Sequence, residues 1–237
     1  MGSPQADRAQ YSQSTKGVAR HGGTRAGRWP VQLRYQSGLS GEDYVSLQAW
    51  RNASLTCCPL HPNQGCGFAR HGTYERLRPP GTRIARWYCP PGHQTFSLLP
   101  DCLASRLSGT LVEVELVAAE VESARSLEAT ADRVRPDSVL LPGALRWIRR
   151  RTSVVHATLT ILIGLMPELF AGCEPTVTSF RLRLQVQWVL VALREVAHPH
   201  LASLPPPLGF GPRLRRASRP RRAVQQSAGP DPPAASG

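Results

Sequence analysis

Residues 57–93 read CCPLHPNQGCGFARHGTYERLRPPGTRIARWYCPPGH, and this stretch decides how the chain folds. Cys58-Pro59-Leu60-His61 and Cys66-Gly67 precede two strand-like runs, Thr73 to Arg78 and Thr82 to Cys89, and Cys89-Pro90-Pro91-Gly92-His93 closes them. The runs are joined by Arg78-Pro79-Pro80-Gly81. Proline presets φ at the second position of a type II turn and glycine takes the positive φ at the third, so a β-hairpin is predicted. Gln94 to Leu98 reads as a third strand beside it. Some fifty residues with three short strands bury too little apolar surface to fold unaided. Two thiol- and imidazole-bearing turns brought together by a hairpin are the build of a zinc ribbon, in which a tetrahedral ion supplies the missing stability, on the order of 10 kcal/mol. The predicted Zn²⁺ ligands are Cys58, Cys66, Cys89 and His93, with His61 as the alternative for one of the first two places. The competing readings are buried structural thiols, or a disulfide framework that includes Cys57. Clustering around turns argues against the first and the lack of a secretion signal against the second. Cys102 and Cys173 stand outside the expected site.

Working outward, residues 1–51 are rich in Gly, Ser, Gln and Arg and are expected to be a disordered basic segment. From residue 202 a Pro/Arg-rich tail is expected, beginning Ser203-Leu204-Pro205-Pro206-Pro207 and carrying six arginines after Pro212. Thus the chain divides into a tail (1–51), a ribbon (52–102), a helical part (105–201) and a second tail (202–237). The formal charge is +13, from 29 basic and 16 acidic residues. A polyanionic partner fits that balance, although 28 of the 29 basic residues are Arg, as a GC-rich coding sequence also yields. The longest apolar run, Val154 to Met166, includes His156 and falls short of the roughly 18 to 20 residues of a membrane span. A cytoplasmic protein with reduced thiols is the expectation.

The second part reads as all-α. Ser108 is the expected N-cap of a helix over Leu111 to Val121, Ser126 caps Leu127 to Val134, and Pro142 opens a third helix after a six-residue connection. On that third helix Leu145, Ile148, Thr152, Val155, Leu159, Leu162, Met166 and Leu169 recur at steps of three and four. Such a seam packs against other helices or a second copy of the chain, so a homo-oligomer through Leu145, Ile148, Val155, Leu159, Leu162 and Met166 is one expectation. Phe180 to Trp188 fits both strand and helix periods. It is assigned to a helix because Leu190 to Ala197 continues in helix-forming residues.

Opposite the seam, Arg146, Arg149, Arg150 and Ser153 form one outward stripe near the start of the third helix. A short helix, a connection and a longer basic helix match the helix-turn-helix plan, in which such a stripe enters the major groove of double-stranded DNA. On the hairpin, Arg70, Arg76, Arg78, Arg83 and Arg86 stand against one acid, Glu75, with Tyr74, Trp87, Tyr88 and Phe96 interleaved. Arg70, Arg76, Arg83 and Arg86 are candidate DNA contacts with the aromatics as stacking groups; alternatively the aromatics fill the ribbon core.

The run Phe68 to Arg76, then Pro80 to Cys89, then Thr95 to Pro100, resembles the N-terminal zinc-ribbon module of insertion-sequence transposases and their relatives. Ser126-Leu127-Glu128-Ala129 onward to Leu145-Arg146-Trp147 is similar to the helix-turn-helix that follows such ribbons. The resemblance covers about residues 55 to 155 and implies binding of transposon-end DNA. Catalysis in that group needs three carboxylates on a ribonuclease-H-like domain, whereas the acids after Arg151 are only Glu168, Glu174, Glu195 and Asp231. No phosphate loop or His-Glu-x-x-His helix is present. The expectation is therefore a DNA-binding protein without enzyme activity. Its rival is a zinc-stabilised protein-interaction module whose helical seam recruits a partner.

Overall fold

The computed structural model describes residues 31–63, 65–134 and 141–211. Four strands, β1 (Val31–Tyr35), β2 (Ala69–Glu75), β3 (Arg83–Cys89) and β4 (Gln94–Pro100), form one sheet in the order β1-β4-β3-β2. The β2–β3–β4 meander is antiparallel and follows the predicted hairpin and third strand; β1 adds to it in parallel with β4, Leu33 facing Leu98. The hairpin turn is built as the prolines and glycine require: Thr82 N–H donates to Pro79 O at 3.2 Å and Gly81 has φ +77°.

Alternation along the strands gives the sheet two covered faces. On one, Ala85, Cys89, Phe96 and Leu98 are buried under the segment that runs from Ala53 through Cys58 to Phe68. On the other, Ile84 and Leu99 pack with Leu103, Tyr74 and Phe210.

Two segments expected as tails are instead built into the fold. Residues 31–51 supply β1, α1 (Gly41–Ser46) and a 3₁₀ turn (Ala49–Arg51), and Tyr44 is fully buried with its hydroxyl donating to Arg83 O at 3.1 Å. At the other end, Leu204 and Leu208 are fully buried. Their Pro-rich loop is held by polar groups on both halves of the molecule: Ser105 N–H donates to Pro207 O at 2.8 Å and Thr158 Oγ1 to Pro206 O at 2.6 Å. Proline removes donors but leaves carbonyls, and here those carbonyls are what the neighbours bind. The expected tail regions 1–30 and 212–237 lie outside the described residues.

After the sheet come α2 (Leu111–Ser123), α3 (Leu127–Val134), α4 (Leu141–Leu165), α5 (Pro167–Phe170), α6 (Val177–Leu184) and α7 (Val189–Val196). Thr110, not Ser108, caps α2: its hydroxyl accepts from Glu113 N–H at 3.0 Å while the Glu113 carboxylate accepts from Thr110 N–H at 2.6 Å. Ser126 caps α3 as expected, accepting from Ala129 N–H at 3.1 Å. Most of the connection between α3 and α4 falls outside the described residues. Phe180 to Trp188 is not one helix, because Gln185 takes left-handed backbone (φ +54°) and separates α6 from α7.

The α4 seam is used within the chain. Ile148, Val155, Leu159 and Leu162 are fully buried, Met166 nearly so, and they pack with Val114, Val117 and Ala118 of α2 and with Phe170, Phe180, Leu190 and Leu193. These five side chains are thus covered within the chain, whereas Leu145 is half-buried and Leu169 exposed. α2 also buries Glu115 completely, but its carboxylate accepts from Arg181 Nη2 at 2.9 Å and from Leu190 N–H at 2.8 Å, so the charge is paired.

Sheet and helices meet at Arg194 of α7. This buried guanidinium donates to the carbonyls of Asp101 (2.8 Å), Leu103 (2.6 Å), Pro207 (2.7 Å) and Leu208 (3.1 Å). Burial lowers its pKa to about 10, still far above neutrality. Beside it Arg34 of β1 pairs with Asp101 at 2.7 Å and with Glu195 of α7, which ties the first strand to the last helix.

Candidate metal centre and arginine surfaces

Cys58, His61, Cys66 and Cys89 converge at one end of the sheet, with all four ligand atoms within 4.8 Å of one another. Each arrives by local geometry. A tight turn folds His61 N–H onto Cys58 O at 3.1 Å and directs both side chains the same way. Cys66 follows five residues after His61 in an irregular segment, and Cys89 ends β3 with its side chain on the covered face. His61 Nδ1 lies 3.3 Å from Cys89 Sγ and 3.6 Å from Cys58 Sγ, and the Cys66 and Cys89 sulfurs are 3.9 Å apart. Cys58 and Cys89 are buried, whereas His61 and Cys66 are half-buried. Phe68, Trp87 and Phe96 form a dry wall behind them, Phe68 stacked on Trp87 at 5.2 Å between centroids.

Gly92 N–H donates to Cys89 Sγ at 3.3 Å. A donor aimed at a ligand sulfur fixes its orientation, as the outer partners of metal ligands do. Three sulfurs, one imidazole and an N–H on sulfur make a donor set that a metal ion fits.

His93, predicted as the fourth ligand, is not in this group. It is exposed, adopts φ +45°, and its Nδ1 lies 3.3 Å from Tyr88 Oη. Two constraints put it there: the Cys89–His93 turn must feed Gln94 directly into pairing with Cys89, and Gly92 occupies the position against the sulfur. His61 takes the fourth place beside both Cys58 and Cys66, where the sequence predicts it only as the alternative to one of them. Gly92 escaped the sequence reading, although Pro-Pro-Gly directly after a ligand cysteine is its signal.

The four hairpin arginines separate. Arg70 donates to the carbonyls of Trp50 (2.5 Å) and Arg51 (2.6 Å), tying β2 to the 3₁₀ turn. Arg76 donates to the carbonyls of Ala104, at 3.1 Å, and Leu107, and burial lowers its pKa. Both guanidinium groups are thus engaged by backbone carbonyls of neighbouring segments, Arg70 at the surface and Arg76 half-buried. Arg83 pairs with Glu75 at 2.8 Å on the surface, and Arg86 is half-buried on β3. Of the interleaved aromatics, Trp87 and Phe96 line the wall behind the cysteines and Tyr74 packs against Ile84 and Leu99.

On α4, Arg146, Arg149 and Arg150 are all exposed. Arg151 turns the other way, lies over the Trp147 ring at 4.2 Å and donates to Ser108 O at 2.8 Å. Among the described residues no helix is long and apolar enough to cross a membrane. Comparison with protein families, with curated proteins and with solved structures finds no match for this chain.

Proposed function

We propose that this chain is a zinc-dependent binder of double-stranded DNA, with the metal holding the sheet and α4 contacting the duplex. The observation that carries it is the outer face of α4: Arg146, Arg149 and Arg150 project from its first turns, and no acidic residue occurs anywhere in Leu141–Leu165. Arginine so spaced offers forked donors to phosphate oxygens and to guanine edges. The quoted resemblance to transposase ribbon and helix-turn-helix modules supports the same partner.

Zinc is the metal this donor set favours, since three thiolates and an imidazole suit a borderline-soft, tetrahedral ion. Bonds of about 2.3 Å to sulfur and 2.0 to 2.1 Å to nitrogen place tetrahedral ligand atoms roughly 3.5 to 3.8 Å apart. Three of the separations, 3.3, 3.6 and 3.9 Å, lie near that spacing, and all fall within 4.8 Å. Closed by four protein ligands, such a site is structural rather than catalytic. The binding reading is tested by fluorescence anisotropy on labelled duplexes before and after metal removal. Saturable binding that falls steeply with salt and weakens on chelation supports it, and no binding at about 50 mM salt refutes it.

A further inference from the structure

The exposed stripe of α4 changes character along its length. After Arg146, Arg149, Arg150 and Ser153 it continues through Ala157, Ile161, Gly164 and Leu165 and ends at Glu168 and Leu169 of α5, all exposed. Between Thr152 and Pro167 the one ionisable side chain is His156, whose ring Nε2 lies 3.0 Å from Glu122. Ile161, Leu165 and Leu169, four residues apart, leave 39, 42 and 39% of their surfaces exposed. An uncharged apolar band with a cationic end and an anionic end is a face that complements itself.

We propose that this band is the contact between two copies of the chain, with their α4 helices packed antiparallel about a twofold axis beside Leu159. Arg150 lies nine residues before that position, about 13 Å along α4, and Glu168 stands beyond the other end of α4, in α5 after the backbone break at Met166. Antiparallel pairing therefore brings each Arg150 toward the α5 end of the second copy, where Glu168 stands, and sets Ser153 against Leu165 and Ala157 against Ile161. Parallel pairing would juxtapose like charges at both ends, so the charges choose the orientation as well as the occupant. Gly164 fits this use. A Cβ built there meets nothing within 4 Å in its own chain, so the missing side chain serves no packing inside the monomer and leaves room for a neighbouring helix. The band is small beside the roughly 800 Å² per partner of a standard interface, so the dimer is weak, half-formed on the order of tens of micromolar.

The test is sedimentation equilibrium of the full, metal-loaded chain from about 1 to about 300 µM. The average mass should rise from 25.9 kDa toward twice that value. Gly164→Arg should weaken association at least about tenfold while leaving the circular dichroism unchanged, because the monomer has open space there. Ile161→Glu should do the same. Arg150→Glu should weaken association, and adding Glu168→Arg should restore it. A chain that stays monomeric throughout overturns the proposal, as does association that persists in Gly164→Arg and Ile161→Glu. If the charge exchange fails to restore association, the antiparallel arrangement is wrong. Arg150 is common to this contact and to the proposed DNA face, and none of the readouts requires a nucleic acid.

Discussion

Gly92 stands directly against the Cys89 sulfur, where a side chain would be crowded: a Cβ built at position 92 would lie 2.5 Å from Leu60 Cδ1 and 3.1 Å from Cys89 Sγ. The same residue gives its N–H to that sulfur at 3.3 Å. Gly92→Ala should therefore push the turn off the ligand and lower metal affinity about 10- to 100-fold, the usual effect of disturbing a group that orients a ligand. Competition against a chromophoric chelator measures it, and unchanged affinity would remove Gly92 from the site.

The two histidines give opposite results. His61→Ala should reduce bound metal well below one equivalent, while His93→Ala should leave it unchanged, because only His61 reaches the three sulfurs. Metal analysis of each variant, purified without chelator, decides this. Removing the metal from the wild-type chain should expose residues 52–100 to protease, since the loop over that face of the sheet is held by Cys58 and Cys66.

Glu122 fastens α6 to α2 and α4. Its carboxylate accepts from the N–H groups of Val177 (2.7 Å) and Thr178 (3.0 Å) and from the Thr178 hydroxyl (2.9 Å), and it lies 3.0 Å from His156 Nε2. Burial acts to raise its pKa, but the hydrogen bonds from His156, Val177 and Thr178 together hold it below the usual carboxylate value. A depressed carboxylate adds stability that is complete above its unfolded pKa, about 4.3, and is lost as pH falls through the folded value. Glu122→Gln should thus cost about 1 to 3 kcal/mol at pH 7 and flatten the acid limb of the stability curve. Denaturant titrations at pH 7 and below pH 4 give both quantities; equal losses at the two pH values would show that the charge contributes nothing.

Arg194 holds four carbonyls drawn from the sheet–helix connection and the Pro-rich loop. Arg194→Leu leaves them buried and unpaired and should destabilise by about 3 kcal/mol or more. Ending the chain at Leu201 should have a comparable effect, whereas ending it at Gly211 should keep the full thermal midpoint.

These tests also mark what the sequence made legible. The hairpin was readable because Pro80-Gly81 specifies its own turn, and the metal cluster because three of its cysteines bracket that hairpin. β1 was not: its partner β4 is more than sixty residues away, and parallel pairing across an intervening hairpin leaves no local pattern in Val31–Tyr35. Leu204 and Leu208 were read as tail because prolines surround them, although buried donors elsewhere turn proline carbonyls into anchors. Arg70 and Arg76 looked like free charge for a similar reason, since the carbonyls they bind come from residues 19 to 31 positions away. The choice between His61 and His93 depended on the crowding at Gly92, which spacing does not encode. The arginine stripe of α4 was readable because helical periodicity separates it from the seam.

The most direct measurement of the central claim is the salt dependence of duplex binding by the metal-loaded chain and by its Arg146→Ala/Arg149→Ala variant. Both side chains are exposed, so the variant should keep its fold and its metal. Each lost phosphate contact lowers the slope of log K against log salt by about 0.9, so the pair should flatten it by about 2 units, and a lost base contact should additionally relax preference at one or two base pairs. Identical affinity, slope and preference in the two proteins would contradict the assignment of α4 to DNA.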